Sequence, residues 1–119
     1  MTRTGRPSIP TAKTTDKAPR RGDVWLARLD KVRPIVVLSR DPMGRLLQSV
    51  ISAPVTSTIR GLSTEVRLGP ADGVRIESVA NLDNVQLIAR ARLLRRVGRA
   101  RPTVMNAICA ALSTAVDCR

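Results

Sequence analysis

The chain has 119 residues, 43% of them apolar, with 21 Lys and Arg against 9 Asp and Glu for a formal net charge of +12. That length suits one domain with one modest core, built from Val, Ile, Leu, Met and Ala because Trp25 is the sole aromatic residue. The absence of histidine excludes an imidazole base or a His-ligated metal, no apolar run reaches the roughly 18 residues of a membrane span, and the N-terminus lacks a signal-peptide core.

Residues 1–20 are rich in Thr, Pro, Lys and Arg, with no periodic apolar pattern. They are expected to form a disordered basic leader, too poor in apolar groups to offset the entropy of ordering, ahead of one domain over 21–119. Residues 1–21 hold six basic side chains against Asp16, a net +5, so the other +7 belongs to the domain. Such an excess calls for a polyanionic partner, and nucleic acid ranks ahead of an acidic membrane surface.

Val24–Leu29 reads as a first strand, followed by a turn through Asp30, Lys31 and Val32. Arg33–Ser39 contains the apolar run Ile35–Leu38 and reads as a strand buried on both faces, with Pro34 at its start or on an edge. Ser49–Val55 is a third strand and Thr64–Leu68 a fourth, alternating like an edge. After turn signals at Gly69-Pro70 and Asp72-Gly73, Ser78–Asn81 and Val85–Ala89 are two short strands around a turn at Asp83-Asn84. The Arg90–Arg101 cluster reads as a solvated face, with electrostatic steering of a nucleic acid by part of it as the alternative.

From Pro102, suited to a first helical position, Val104, Met105, Ile108, Cys109, Leu112 and Val116 fall on one stripe of a helix. Arg101 is a poor N-cap. Cys109 and Cys118 lie about 2.5 helical turns apart, point to different sides, and are expected to be free thiols in a reducing cytoplasm. Many short strands and one amphipathic helix imply a mainly β protein with α: a small twisted antiparallel barrel with the helix packed outside.

The side chains left for chemistry are Arg, Lys, Thr, Ser and a few carboxylates. There is no Walker loop, no Ser-His-Asp set and no aromatic platform for stacking bases. RNA cleavage can run on such a set, because the substrate carries its own nucleophile in the 2′-hydroxyl. The protein must neutralise charge on the phosphoryl oxygens, a task suited to the planar guanidinium fork.

The ordered series Gly22-Asp23-Val24-Trp25, Arg33-Pro34-Ile35-Val36-Val37-Leu38-Ser39, Ala53-Pro54-Val55-Thr56-Ser57 and Asn81-Leu82-Asp83 resembles the MazF/PemK toxins, over about Gly22 to Val116. The resemblance implies an SH3-like antiparallel β-barrel of the CcdB/MazF type with a C-terminal helix. It further implies a sequence-specific, metal-independent endoribonuclease without cofactor, acting on single-stranded RNA as a homodimer and silenced by a cognate acidic, MazE-like antitoxin. Products would be a 2′,3′-cyclic phosphate and a 5′-hydroxyl. Carried over by motif, Arg33 and Thr56 are the expected catalytic pair, and Lys31, Ser57, Arg60, Asp83 and Asn84 the expected RNA contacts. Many relatives have a longer first loop of the G-x-E-x-x-G sort, and Lys31 stands here as a substitute for a lost contact. Arg33 stays protonated, so the proton acceptor is left among Glu65, Asp83 and the phosphate itself. Two other readings stay open: a non-catalytic nucleic-acid-binding module, and a gyrase poison such as CcdB, which relies on a tryptophan near the end of its helix that this chain lacks.

Overall fold

The structure is a computed structural model that describes residues 18–41 and 48–117. Residues 1–17 of the leader expected over 1–20, and Cys118, lie outside the described residues. Ala18, Pro19 and Arg20 already belong to the domain: Pro19 is buried, and Arg20 N–H donates to the Asp23 carboxylate at 2.9 Å.

Among the described residues seven strands run in the order β1 (Asp23–Arg28), β2 (Val32–Val37), β3 (Ser49–Thr56), β4 (Glu65–Leu68), β5 (Ser78–Asn81), β6 (Gln86–Ala89) and β7 (Leu93–Arg99), followed by helix α1 (Pro102–Val116). The architecture is mainly antiparallel β with one C-terminal helix, as expected. In space the strands follow the order β4-β5-β3-β2-β1-β7, and β6 pairs with β3. No ladder joins β4 to β7 among the described residues, so hydrogen bonds leave the sheet open instead of closing a barrel.

Closure comes from backbone packing. A 3-10 turn over Pro70–Asp72 follows β4, and Gly73 takes the left-handed conformation at φ 100°. A side chain at Gly98 on β7 would collide with the Asp72 carbonyl oxygen and the Gly73 Cα. The connection after β4 therefore lies flat on β7. Asp72 fastens the seam: its fully buried carboxylate accepts the Arg101 backbone N–H at 2.9 Å, the Arg101 guanidinium at 3.0 and 3.1 Å, and Gly69 N–H at 3.0 Å. This carboxylate also takes over at the helix start, where Arg101 offers no side-chain cap and a negative charge suits the macrodipole.

Strand alternation splits the apolar residues into two layers. Val24, Val36, Ala53 and Val55 join Val104, Ile108 and Ala111 of α1, whereas Trp25, Ala27, Ile35, Val37, Val50, Ile88 and Leu93 form a second layer. Occupation of both faces explains the unbroken run Ile35–Leu38. The stripe expected for the helix is partly borne out: Cys109 and Val116 are exposed, and Ala111 is buried in their stead. Cys109 is a free thiol. Trp25 is core, 3% exposed, with its indole N–H on Asp23 Oδ2 at 3.3 Å. None of the helices among the described residues is long and apolar enough to cross a membrane.

The strand over Leu93–Arg99 was not foreseen. Its ladder with β1 slips register twice, which destroys the period-two pattern, and its residues alternate poorly between core and solvent.

Candidate active site

The site forms where two central strands part. β2 and β3 pair only through Ile35↔Pro54, Val36↔Ala53 and Val37↔Ser52. Pro34 and Pro54, which have no N–H to donate, sit at the end of that ladder. Pro34 is thus half-buried inside a central strand, not on an edge, and it is accommodated because the ladder with β3 stops beside it. Continuing the same register by two residues sets Arg33 opposite Thr56.

Both side chains line one cleft of about 660 Å³, with Leu26, Pro34, Val55 and Val97 among its apolar residues. Its polar lining is Lys31, Arg33, Arg75, Arg95, Thr56, Ser57 and Ser78, with no carboxylate. Four cations and three hydroxyls therefore face one space. Thr56 Oγ1 accepts the Thr58 N–H at 3.1 Å, which engages an oxygen lone pair and leaves the hydroxyl hydrogen to donate elsewhere.

Arg33 does not float. Its Nε donates to Asp30 Oδ1 at 3.1 Å and its Nη2 to Asp30 Oδ2 at 3.3 Å, a fork-to-fork pair across the tight β1–β2 turn. The hydrogen bond from Arg33, then that from the Lys31 backbone, hold the Asp30 carboxyl below its ordinary range. The same hydrogen bond and charge raise the Arg33 pKa further. The arrangement fixes the plane of a guanidinium that lines the cleft. Asp30 was read from the sequence only as a turn residue; the signal that marks it is an Asp–Arg pair three apart on a short turn.

Arg33 also borders a second cleft, lined by Leu29, Asp30, Pro54, Asp83, Asn84, Val85 and Gln86. Expected RNA contacts thus fall on two sides of Arg33: Lys31 and Ser57 in the first cleft, Asp83 and Asn84 in the second. Arg60 lines neither. Its backbone N–H, with those of Gly61 and Leu62, points at the Glu65 carboxylate at 2.8–3.2 Å, so Glu65 is committed to holding the loop after β3. Asp83 Oδ2 accepts the Thr64 hydroxyl at 2.5 Å, and Asp83 N–H donates to Asn81 Oδ1 at 3.0 Å. Neither carboxylate considered as proton acceptor lines the cleft that holds Thr56.

The sequence pattern of the PemK-like, MazF-like toxins of type II toxin–antitoxin systems matches residues 20–116. The chain belongs to this family. A probable endoribonuclease MazF5 of Mycobacterium tuberculosis is 46% identical over 103 residues, covering 84% of this chain and 94% of the relative. Endoribonuclease MazF3 of the same species is 36% identical over 94 residues, covering 79% and 91%. Among solved structures, M. tuberculosis toxin MazF-mt6 superposes with a TM-score of 0.78 at 35% identity, covering 82% of this chain and 98% of that one. A mycobacterial endoribonuclease in complex with its cognate antitoxin gives a TM-score of 0.77 at 30% identity, covering 86% and 98%. The MazF-like fold thus places Arg33 and Thr56 at a gap between strands, with Asp30 bracing one of them.

Proposed function

We propose that this MazF-family endoribonuclease toxin cleaves single-stranded RNA without a metal, with Arg33 and Thr56 as its catalytic residues. The single observation that carries the reading is their shared position in a cation-lined cleft at the parting of β2 and β3. The ribose 2′-oxygen attacks the adjacent phosphorus and the bond from phosphorus to the 5′-oxygen breaks, leaving a 2′,3′-cyclic phosphate and a 5′-hydroxyl. Arg33 neutralises charge growing on one phosphoryl oxygen, and Thr56 donates its hydroxyl hydrogen to another. With neither Glu65 nor Asp83 lining that cleft, a phosphoryl oxygen of the substrate relays the proton from the 2′-hydroxyl to the departing 5′-oxygen.

Selectivity for sequence is assigned to the cleft of Asp83, Asn84 and Gln86, whose carboxylate and amides match the hydrogen-bonding edges of an unstacked base. The protein acts as a homodimer in the cytoplasm, and an acidic antitoxin competes with RNA for the same cations.

The test is a long mixed-sequence RNA incubated with purified protein in EDTA, with product ends mapped. Arg33→Ala and Thr56→Ala should each lower the cleavage rate by about a hundredfold to a thousandfold without a change in melting temperature. Undiminished cleavage by both variants would overturn the assignment.

A further inference from the structure

Most arginines along β7 and its flanks are spoken for. Arg96 and Arg99 reach Asp23 at 3.6 and 2.7 Å, Arg101 is clamped on Asp72, and Arg92 donates to the Arg28 carbonyl at 3.1 Å. Arg75 and Arg95 differ. Both are exposed, both line the cleft of Arg33 and Thr56, and neither has an ion-pair or hydrogen-bond partner among the described residues. Like charges facing one space repel unless an anion joins them, and this lining supplies none among the described residues.

Their placement sets them apart from the reacting centre. Arg95 stands opposite Leu26 on β1, and Leu26 stands opposite Pro34 on β2. Arg95 and Pro34 are therefore two strand spacings apart, roughly 10 Å. Arg75 approaches from the connection that Gly73 lays against β7. Arg95 also borders a further cleft with Arg20, Arg96 and Asp23, while Arg33 borders the cleft of Asp83, Asn84 and Gln86. Three clefts thus run in series, with Arg33 shared at one junction and Arg95 at the other. A single strand lying along them would present one phosphate to Arg33 and Thr56 and another to the far wall.

We infer that Arg75 and Arg95 form a second phosphate-binding site, which grips a backbone phosphate flanking the scissile one and takes no part in the bond-breaking step. This rests on the nuclease reading for the name of the scissile phosphate. The site itself is defined by two unpaired guanidinium groups on the wall that Arg33 and Thr56 do not occupy.

Two measurements on the full chain test it. The first is the salt dependence of affinity for a mixed-sequence 2′-O-methyl RNA, which carries the phosphates but lacks the nucleophile and so binds uncut. In Arg75→Gln/Arg95→Gln the log–log slope should fall by about 0.7, the value for one phosphate contact on a single strand. Arg67→Gln, an exposed arginine on β4 outside the cleft, should leave the slope unchanged. The second is steady-state cleavage of natural RNA: the double variant should raise KM at least tenfold and leave kcat within threefold. An unchanged slope overturns the proposal, and so does a loss confined to kcat. Failure of the wild-type protein to cut natural RNA would instead sink the proposed function, and the binding arm would still judge this site.

Discussion

Arg99 and Arg101, and against them Arg75 and Arg95, are the same residue type put to opposite uses. The first pair meets carboxylates with 3% and 0% of their side-chain surface exposed, Asp23 and Asp72. The second pair makes no ion pair among the described residues. In a chain with 21 basic side chains and 9 acidic ones, scarce carboxylates are concentrated where they fasten the seam and the start of the sheet. The cleft keeps its positive charge because almost none is cancelled there. Arg33 stands between the two cases: it has an acidic partner, but an exposed one, which orients the guanidinium while solvent screens much of the neutralisation.

The sharpest way to break this contrast is to compare Arg33→Ala with Asp72→Ala. The first should remove cleavage and spare stability. The second should do the reverse, lowering unfolding free energy by about 2–3 kcal/mol as the Gly69 and Arg101 N–H groups lose their acceptor, measured by urea denaturation. Folded Asp72→Ala protein should still cut RNA.

Asp30→Asn comes next. The amide retains the shape but not the charge or the two-oxygen acceptor, so the guanidinium plane is less well held. Cleavage should slow by about tenfold to a hundredfold with an unchanged melting temperature, because the pair is exposed. A wild-type rate in this variant would make Asp30 a bystander.

The smallest effect is the acid titration. Burial works to raise the Asp72 pKa, but the Arg101 side chain, the Arg101 N–H and the Gly69 N–H outweigh it, and the carboxyl sits below the ordinary 3.8. A depressed native pKa contributes stability that is present in full above the unfolded value. That contribution is lost as pH falls through the native one. Stability should therefore drop below about pH 4 in the wild type and drop less in Asp72→Asn, as read by thermal melts across an acid series.

Much of this architecture was legible in the sequence, and particular residues show why some was not. β5 was read with the bounds it has and α1 with its first residue, because Ser78–Asn81 sits between clear turn signals and Pro102 opens an apolar stripe. β7 escaped because five arginines crowd Arg90–Arg99 and the register slips beside Trp25 and Leu26 break the alternation. The open sheet escaped too: a contact between two glycine backbones leaves no pattern to read. At the site, motif resemblance named Arg33 and Thr56, and the structure brings them to one cleft. It could not name Arg75, Arg95 or Gln86, because only the path of the chain in space carries them to the same groove, and no local spacing records that path.

The flat seat of Gly73 upon Gly98 has a consequence for how such a protein can vary. The wall bearing Arg75 hangs from a position whose hydrogen atom is its whole side chain, and even one methyl at 98 would meet the Gly73 Cα at about 2.5 Å. Any bulk added there would lever that wall outward. The grip on a nucleotide strand can thus be loosened from a residue that never touches it.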